Sequence, residues 1–452
     1  MSVPRFAVLD IGLYERDVRL RMPFRFGVVT LTGAPQAFAR ARIRLVDGRE
    51  AEGAAAELLA PKWFDKDPAL PDEDNFAQLR ASLAQARKAY LVGSADTAFG
   101  HSTANTVAGL VAGFGPALLD RALLDALCRA LGASFYEALR GNAAGIALES
   151  CDADAFLAGL APAPSIAARH TVGLLDPITA GDVTERIDDG LPQTLEEVLA
   201  RYGQRYFKLK LAGDAQADLE RLAAIAAVLE RIEGRYYATL DGNEQYDDVA
   251  GITELWRRMK ADARLGRLAS SVLFIEQPIR RANALARDVS VLAAEIPLVI
   301  DESDDSLEAF PRARALGYAG VSSKTCKGLY KSIINRVRCE TWNRAEGGAH
   351  YFMSGEDLTV QAGLALQQDL ALANLLGIAH VERNGHHYVN GMAGLPEAEQ
   401  AAFLRAHPDL YERSHGAVRL AIRDGRIALG SLGCAGYAAA AAPDWNSMRR
   451  VI

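Results

Sequence analysis

A chain of 452 residues, 50% hydrophobic and 24% charged, holds enough apolar material for a large core and for two or three domains. A net charge of −7 without any Lys/Arg block argues against nucleic acid as the main partner, and no apolar run approaches bilayer length, so a small molecule is the expected ligand and no membrane partner is expected. Five scattered cysteines without a CxxC pair indicate neither a disulfide framework nor a thiolate zinc site; with a start that lacks the apolar run of a signal peptide, they point to a reducing cytoplasm.

Residues 1–145 read as a small α+β unit. From Phe6 to about Ala55 the pattern is strand-like, with a turn expected around Pro23 and another at Asp47–Gly48; Ala41, Ile43 and Leu45 alternate with Arg40, Arg42 and Arg44. From about Asn75 to Gly141 the apolar spacing becomes helical, and Gly132 is the expected stop of one helix.

Residues 146–394 change texture. Eight short apolar runs (IAARHTVGL, RYFKLKL, YYATLD, VLFIEQP, PLVIDES, GVSSKT, HYFMSGE and IAHVER) alternate with helical segments such as the one that puts Leu219, Leu222, Ile225, Leu229 and Ile232 on one face. That alternation predicts a (β/α)₈ barrel. The intervals from Lys210 to Asp241, Glu276, Asp301, Lys324 and Glu356 are 31, 35, 25, 23 and 32 residues, close to the roughly thirty residues of one βα unit. The polar stretch from Ile178 to about Tyr202 reads as an insertion early in the barrel. In the tail, 395–452, Ala417 to Gly430 reads as a hairpin around Asp424–Gly425 that returns to the N-terminal unit.

Five consecutive runs end by changing from apolar to ionisable: FKLK, ATLD, LFIE, LVID and VSSK. In such barrels the strand C-termini share one mouth, where catalytic groups converge. Any one carboxylate there is most simply an N-cap of the next helix. Three in register, Asp241, Glu276 and Asp301, would repel one another without a cation, and hard oxygen ligands select Mg²⁺ or Mn²⁺ over zinc. Lys208 and Lys210 flank Leu209 and share a face; strands of an internal barrel have no solvent face, so both need anions beside them. Lys324 repeats the theme further round the ring.

Together the KxK of Lys208 and Lys210, DGN at Asp241 to Asn243, IEQP around Glu276, IDES around Asp301 and SKTCKG around Lys324 resemble the enolase superfamily, specifically its muconate lactonizing enzyme subgroup, over nearly the whole chain. The resemblance implies a TIM barrel with an α+β capping domain formed by residues 1–145 and the tail. It implies Mg²⁺ on Asp241, Glu276 and Asp301, with Asn243, Gln277 and Glu302 around them. Lys210 and Lys324 would be general acid/base groups on opposite faces, and Lys208 would help neutralise a substrate carboxylate. The implied reaction removes the proton next to a carboxylate, ending in racemisation or epimerisation, syn elimination or cycloisomerisation of a small carboxylic acid. A cation and an ammonium beside the nascent enolate would offset its charge, and desolvated lysines beside a cation can work as bases near neutral pH.

The chain also departs from family patterns. SGED on the seventh run has no histidine and the sixth ends in lysine, so the His-Asp dyad of mandelate racemase and the acid-sugar dehydratases is absent; HVERNG on the eighth lacks the paired aspartates of dipeptide epimerases. His380, Glu382 and Asn384 are expected to face substrate there, with Glu356 from the seventh strand. Gly328 follows Lys327 where the family often has two glycines. Specificity is expected from Phe24 to Thr32, including Phe26, and from Trp63 and Phe64; Trp63 reads equally as core between domains. His386–His387 reads as a surface pair. A dehydratase-like lyase, a Schiff-base aldolase and a silent binding protein are the competing readings, and base rates favour a symmetric homo-oligomer.

Overall fold

The computed structural model describes residues 3–148 and 151–451. It opens with β1 (Phe6–Phe26), β2 (Val29–Leu45) and β3 (Glu50–Leu58), an antiparallel meander in which Ala41, Ile43 and Leu45 are buried and Arg42 and Arg44 exposed. The expected turn at Pro23 is not there. β1 runs through it to Phe26 and turns at Gly27–Val28; Pro23, which has no N–H to donate, falls in the register break between Arg19 and Phe24. Helices α1 (Asp72–Val92), α2 (Ala98–Ala104) and α3 (Leu110–Leu131) follow, and α3 ends at Gly132 in the left-handed region, φ 66°. α3 lies so close to β3 that a Cβ on Gly53 would strike the backbone of Ala122 and Ala126.

The eight apolar runs form β4 (Ser165–Val172), β5 (Tyr206–Lys210), β6 (Tyr237–Asp241), β7 (Val272–Glu276), β8 (Leu298–Ile300), β9 (Gly320–Ser323), β10 (Phe352–Gly355) and β11 (His380–Arg383). They pair in parallel in sequence order, and β11 closes on β4, giving a closed eight-stranded TIM barrel beside the separate antiparallel sheet. On β5, Phe207 and Leu209 pack outward against the helices, which leaves Lys208 and Lys210 pointing inward.

The tail departs from the expected hairpin. β12 (Tyr411–Ser414) pairs with β13 (Ala417–Leu420), while β14 (Arg426–Ala428) pairs antiparallel with barrel strand β4. The segment that reaches the N-terminal sheet is β15 (Arg449–Arg450), beside Tyr14 and Glu15 of β1. His386 and His387 are not a surface pair either. Their rings pack against His170, at 5.8 and 4.8 Å between centroids, in the shell around β4. No helix among the described residues is long and apolar enough to cross a membrane.

Candidate active site at the barrel mouth

The register of the parallel strands aligns the ionisable ends. Lys210 is the ladder partner of Asp241, and Asp241 that of Glu276, so one row of the barrel carries all three. Asp301 follows β8, Lys324 follows β9 and Glu356 follows β10, while Glu382 lies on β11. Asp241, Glu276 and Asp301 are 0% exposed. Such burial of charge persists only where the groups compensate one another or a ligand.

Lys210 donates to Asp241 Oδ2 at 2.6 Å, and Lys324 donates to Asp301 Oδ2 at 2.5 Å. The two amines thus sit on different carboxylates, with Glu276 on the strand between. Lys208 Nζ lies among four acids: Glu356 at 2.6 Å, Glu276 at 2.7 Å, and Asp241 and Glu382 at 2.9 Å. Burial alone would lower the Lys208 and Lys324 ammoniums; their carboxylate partners outweigh it and hold both above the ordinary lysine value. Burial alone would raise Asp301, but Lys324, Lys327 and Lys208 hold it far below the usual carboxylate range. Glu276 goes the other way: burial, Asp241 and Glu356 push it well up, and Lys208 only partly opposes them.

As the side chains stand, no three His, Cys, Asp or Glu among the described residues are arranged as a ready metal site, and Lys208 Nζ lies between the acids. The donor set nevertheless fits a hard divalent cation. Neither Glu276 oxygen has a hydrogen-bond partner among the described residues; the 2.7 Å approach of Lys208 is an ion pair without hydrogen-bond alignment. A buried, unpartnered carboxylate between two others on adjacent strands is an arrangement that a cation stabilises.

The surrounding residues hold these acids in place. Asn243 donates its backbone N–H to Asp241 Oδ1 at 2.9 Å and its amide to Glu302 at 3.3 Å. Gln277 accepts from the backbone N–H of Asp301 and Ser303 and donates to Ser303 Oγ. Both residues have positive φ, 39° and 31°, local strain at the loops that begin just after the acidic strand ends. Glu302 has an unpartnered oxygen, and burial beside Asp301 pushes it up to about 7. From the N-terminal unit, the rings of Phe24 and Phe26 each lie 5.8 Å from Lys210 Nζ, and the Trp63 ring lies 4.4 Å from Lys324 Nζ. Trp63 is thus both core, 3% exposed, and a cover for Lys324.

Glu356 and Glu382 reach the cluster through Lys208, and Asn384 donates to Glu382 at 3.2 Å. His380 does not reach it. It sits two residues earlier on β11, stacked on Tyr206 with Nδ1 against Arg169 Nη1 at 2.8 Å. Sequence reasoning missed Arg169, fully buried and paired with Glu356, although its alternation with Thr171 on β4 was a usable signal. It noticed Lys327 only as a neighbour of Gly328; the structure puts its ammonium on Asp304 at 3.0 Å and Asp301 at 3.4 Å.

A closed barrel whose mouth gathers three adjacent carboxylates between lysines, under a cap from a separate antiparallel unit, defines the class of protein. Residues 191–430 match the family model described as Enolase C-terminal domain-like, and the chain belongs to that family. No curated protein sequence matches it. Similar solved structures include the muconate lactonizing enzyme from Pseudomonas fluorescens complexed with muconolactone (19% identity, 97% of each chain covered, TM-score 0.64). A dipeptide epimerase from Enterococcus faecalis V583 complexed with Mg and the dipeptide L-Leu-L-Tyr is 14% identical over 96% of this chain and 99% of that one, with TM-score 0.62. An enolase from Bradyrhizobium complexed with magnesium and mandelic acid is 16% identical over 94% and 95% of the two chains, with TM-score 0.60. At these identities the likeness establishes the fold.

Proposed function

We propose that the chain is a Mg²⁺-dependent enzyme of the lysine-pair, muconate lactonizing enzyme-like kind, which removes the proton next to the carboxylate of a small carboxylic acid. The observation that carries this reading is the placement of Lys210 and Lys324 on separate carboxylates to either side of Glu276, with Phe24 and Phe26 over the first and Trp63 over the second. Solved relatives bound to magnesium with a dipeptide or with mandelic acid support the cation and the substrate class. Held by Asp241, Glu276 and Asp301, the cation would offset the charge of the substrate carboxylate and draw those acids away from the lysines.

A neutral amine on one side takes the α-proton onto its Nζ; the ammonium on the other side then returns a proton to the opposite face, or, in a syn elimination, the newly protonated amine hands its proton to the leaving group on its own face. Racemisation or epimerisation, syn elimination and cycloisomerisation differ only in that second step. Lys208, already among four acids, serves as the counter-ion of Glu356 and Glu382 beside the cluster. Asn243, Gln277 and Glu302 position the metal-binding acids.

The test is a panel of carboxylic acids in D₂O with Mg²⁺, followed by NMR for loss of the α-proton. Wild type exchanges it on at least one member. Lys210→Ala and Lys324→Ala each lose about 10²- to 10⁴-fold, the usual contribution of a positioned acid or base. Exchange that survives both substitutions, or that ignores chelation of the metal, sinks the proposal.

A further inference from the structure

The acids of the mouth differ in what holds them. Glu276 has no hydrogen-bond partner among the described residues, whereas both oxygens of Asp301 are taken. The ladder between β8 and β9 pairs Ile300 with Val321, which sets Asp301 beside Ser322. Ser322 and Lys324 stand two residues apart at the end of β9, and each reaches the acid. The Ser322 hydroxyl donates to Oδ1, and Lys324 Nζ donates to Oδ2 at 2.5 Å.

A second ammonium stands behind that hydroxyl. Lys327 Nζ donates to Ser322 Oγ at 2.6 Å and to the Asp301 carbonyl at 3.2 Å, and it pairs with Asp304 Oδ2 at 3.0 Å. From Asp301 Oδ1 it is 3.4 Å away, longer than the roughly 2.7–2.9 Å of a charge-assisted hydrogen bond. An ammonium can only donate, and a serine has one proton. Ser322 therefore accepts from Lys327 and spends its own proton on Oδ1. The hydroxyl is wedged between cation and carboxylate, in a place where Ser322 is 2% exposed and the Lys327 side chain 1%.

The wedge matters to any ion that must share Asp301. Away from water, an ammonium in direct contact with the carboxylate would compete strongly for it. We propose that Ser322 is a positioning residue whose hydroxyl holds the Lys327 ammonium off Asp301, so that the acid stays available to a divalent cation. The inference rests on the Mg²⁺ site proposed above and adds a spacer and a competitor to it.

Mg²⁺ is titrated calorimetrically into the full chain as wild type, Ser322→Ala, Lys327→Met and the double variant, with Tm measured alongside. Ser322→Ala lets the ammonium close on Oδ1 and binds Mg²⁺ about 10- to 100-fold more weakly, the usual cost of losing an outer partner of a metal ligand. Lys327→Met binds more tightly than wild type, because a repelling charge has gone. In that background Ser322→Ala costs less than about twofold, since no ammonium is left to hold off. Lys327→Gln serves if the methionine variant does not fold. A serine that merely orients Asp301, or damage to packing, gives the same serine penalty in both backgrounds and no gain from Lys327→Met. That result, or a Ser322→Ala variant that binds like wild type, overturns the proposal and leaves the Mg²⁺ site standing. A wild type that takes up no Mg²⁺ overturns both.

Discussion

Two layers of the barrel interior carry buried charge, and they are built differently. In the deeper one, the Arg169 guanidinium is shared among Glu356 Oε1, Ser354 Oγ, the Gly355 carbonyl and His380 Nδ1, and lies over the Phe274 ring, leaving only its Nε unpaired. At the mouth, both oxygens of Glu276, Oδ1 of Asn243 and Oε2 of Glu302 are buried without a hydrogen-bond partner among the described residues. Burial and charge alone do not distinguish the layers. The distinction is that one is closed within itself, whereas the other gathers acceptors that the protein leaves open, as a site for an additional cation would.

That contrast is open to attack from the deeper side first. Arg169→Met leaves the Glu356 oxygen it covered with only the Ser354 hydroxyl, and removing one member of a buried pair costs about 3–5 kcal/mol. The prediction is a loss of that size in urea unfolding, with Mg²⁺ affinity unchanged in the folded protein. A variant that keeps its stability but loses metal would erase the division between layers.

Next in size is an acid effect from the outer shell. Burial lowers His170 from 6.5 to about 3, and it depresses His386 and His387 as well. Because the folded value lies below the unfolded one, the stabilisation is complete above about pH 6.5 and is lost as pH falls toward 3, where the unfolded chain alone takes up the proton. For His170 this amounts to about 3 kcal/mol at pH 4. Urea midpoints between pH 7 and 4 should fall less steeply for His170→Phe than for wild type; parallel curves would remove the buried imidazole as the cause.

The smallest effect concerns the cover. Trp63→Leu removes the ring over Lys324, a contact of about 1 kcal/mol, and should lower the rate of α-proton exchange severalfold; because the ring is also core, Tm falls as well, and the rates are compared well below the Tm of the variant. An equal loss from Phe26→Leu and from Trp63→Leu would show that the rings act by excluding water; a loss from Trp63 alone would assign it to the ammonium contact.

Much of this was legible in sequence because strand period and barrel period are local. The inward face of Lys208 and Lys210, the acids at the ends of β6 and β7, and the repeat near thirty residues follow from alternation and spacing. What was not legible depends on closure. Lys208 meets Glu356 and Glu382, 148 and 174 residues away, only because β11 pairs with β4. His170 finds His386 and His387 by the same closure, which is why that pair read as surface. His380 and Glu382 share a face of one strand; Arg169 captures the former and Lys208 the latter, and no local pattern separates the two. Pro23 stands inside β1 because a ladder interruption there frees it from donating, a feature of pairing rather than of composition.

One divalent cation held by the unpartnered acids of the mouth is what the proposed chemistry requires. It is tested most directly by titrating Mg²⁺ calorimetrically into wild type, Asp241→Asn, Glu276→Gln, Asp301→Asn and the Arg169→Met control. Wild type and the control should each bind one Mg²⁺ per chain. Each of the three acid variants should bind at least about a hundredfold more weakly, since loss of even an outer partner costs about 10- to 100-fold. Stoichiometric binding that persists in Glu276→Gln, or a wild type that takes up no cation at millimolar Mg²⁺, would contradict it.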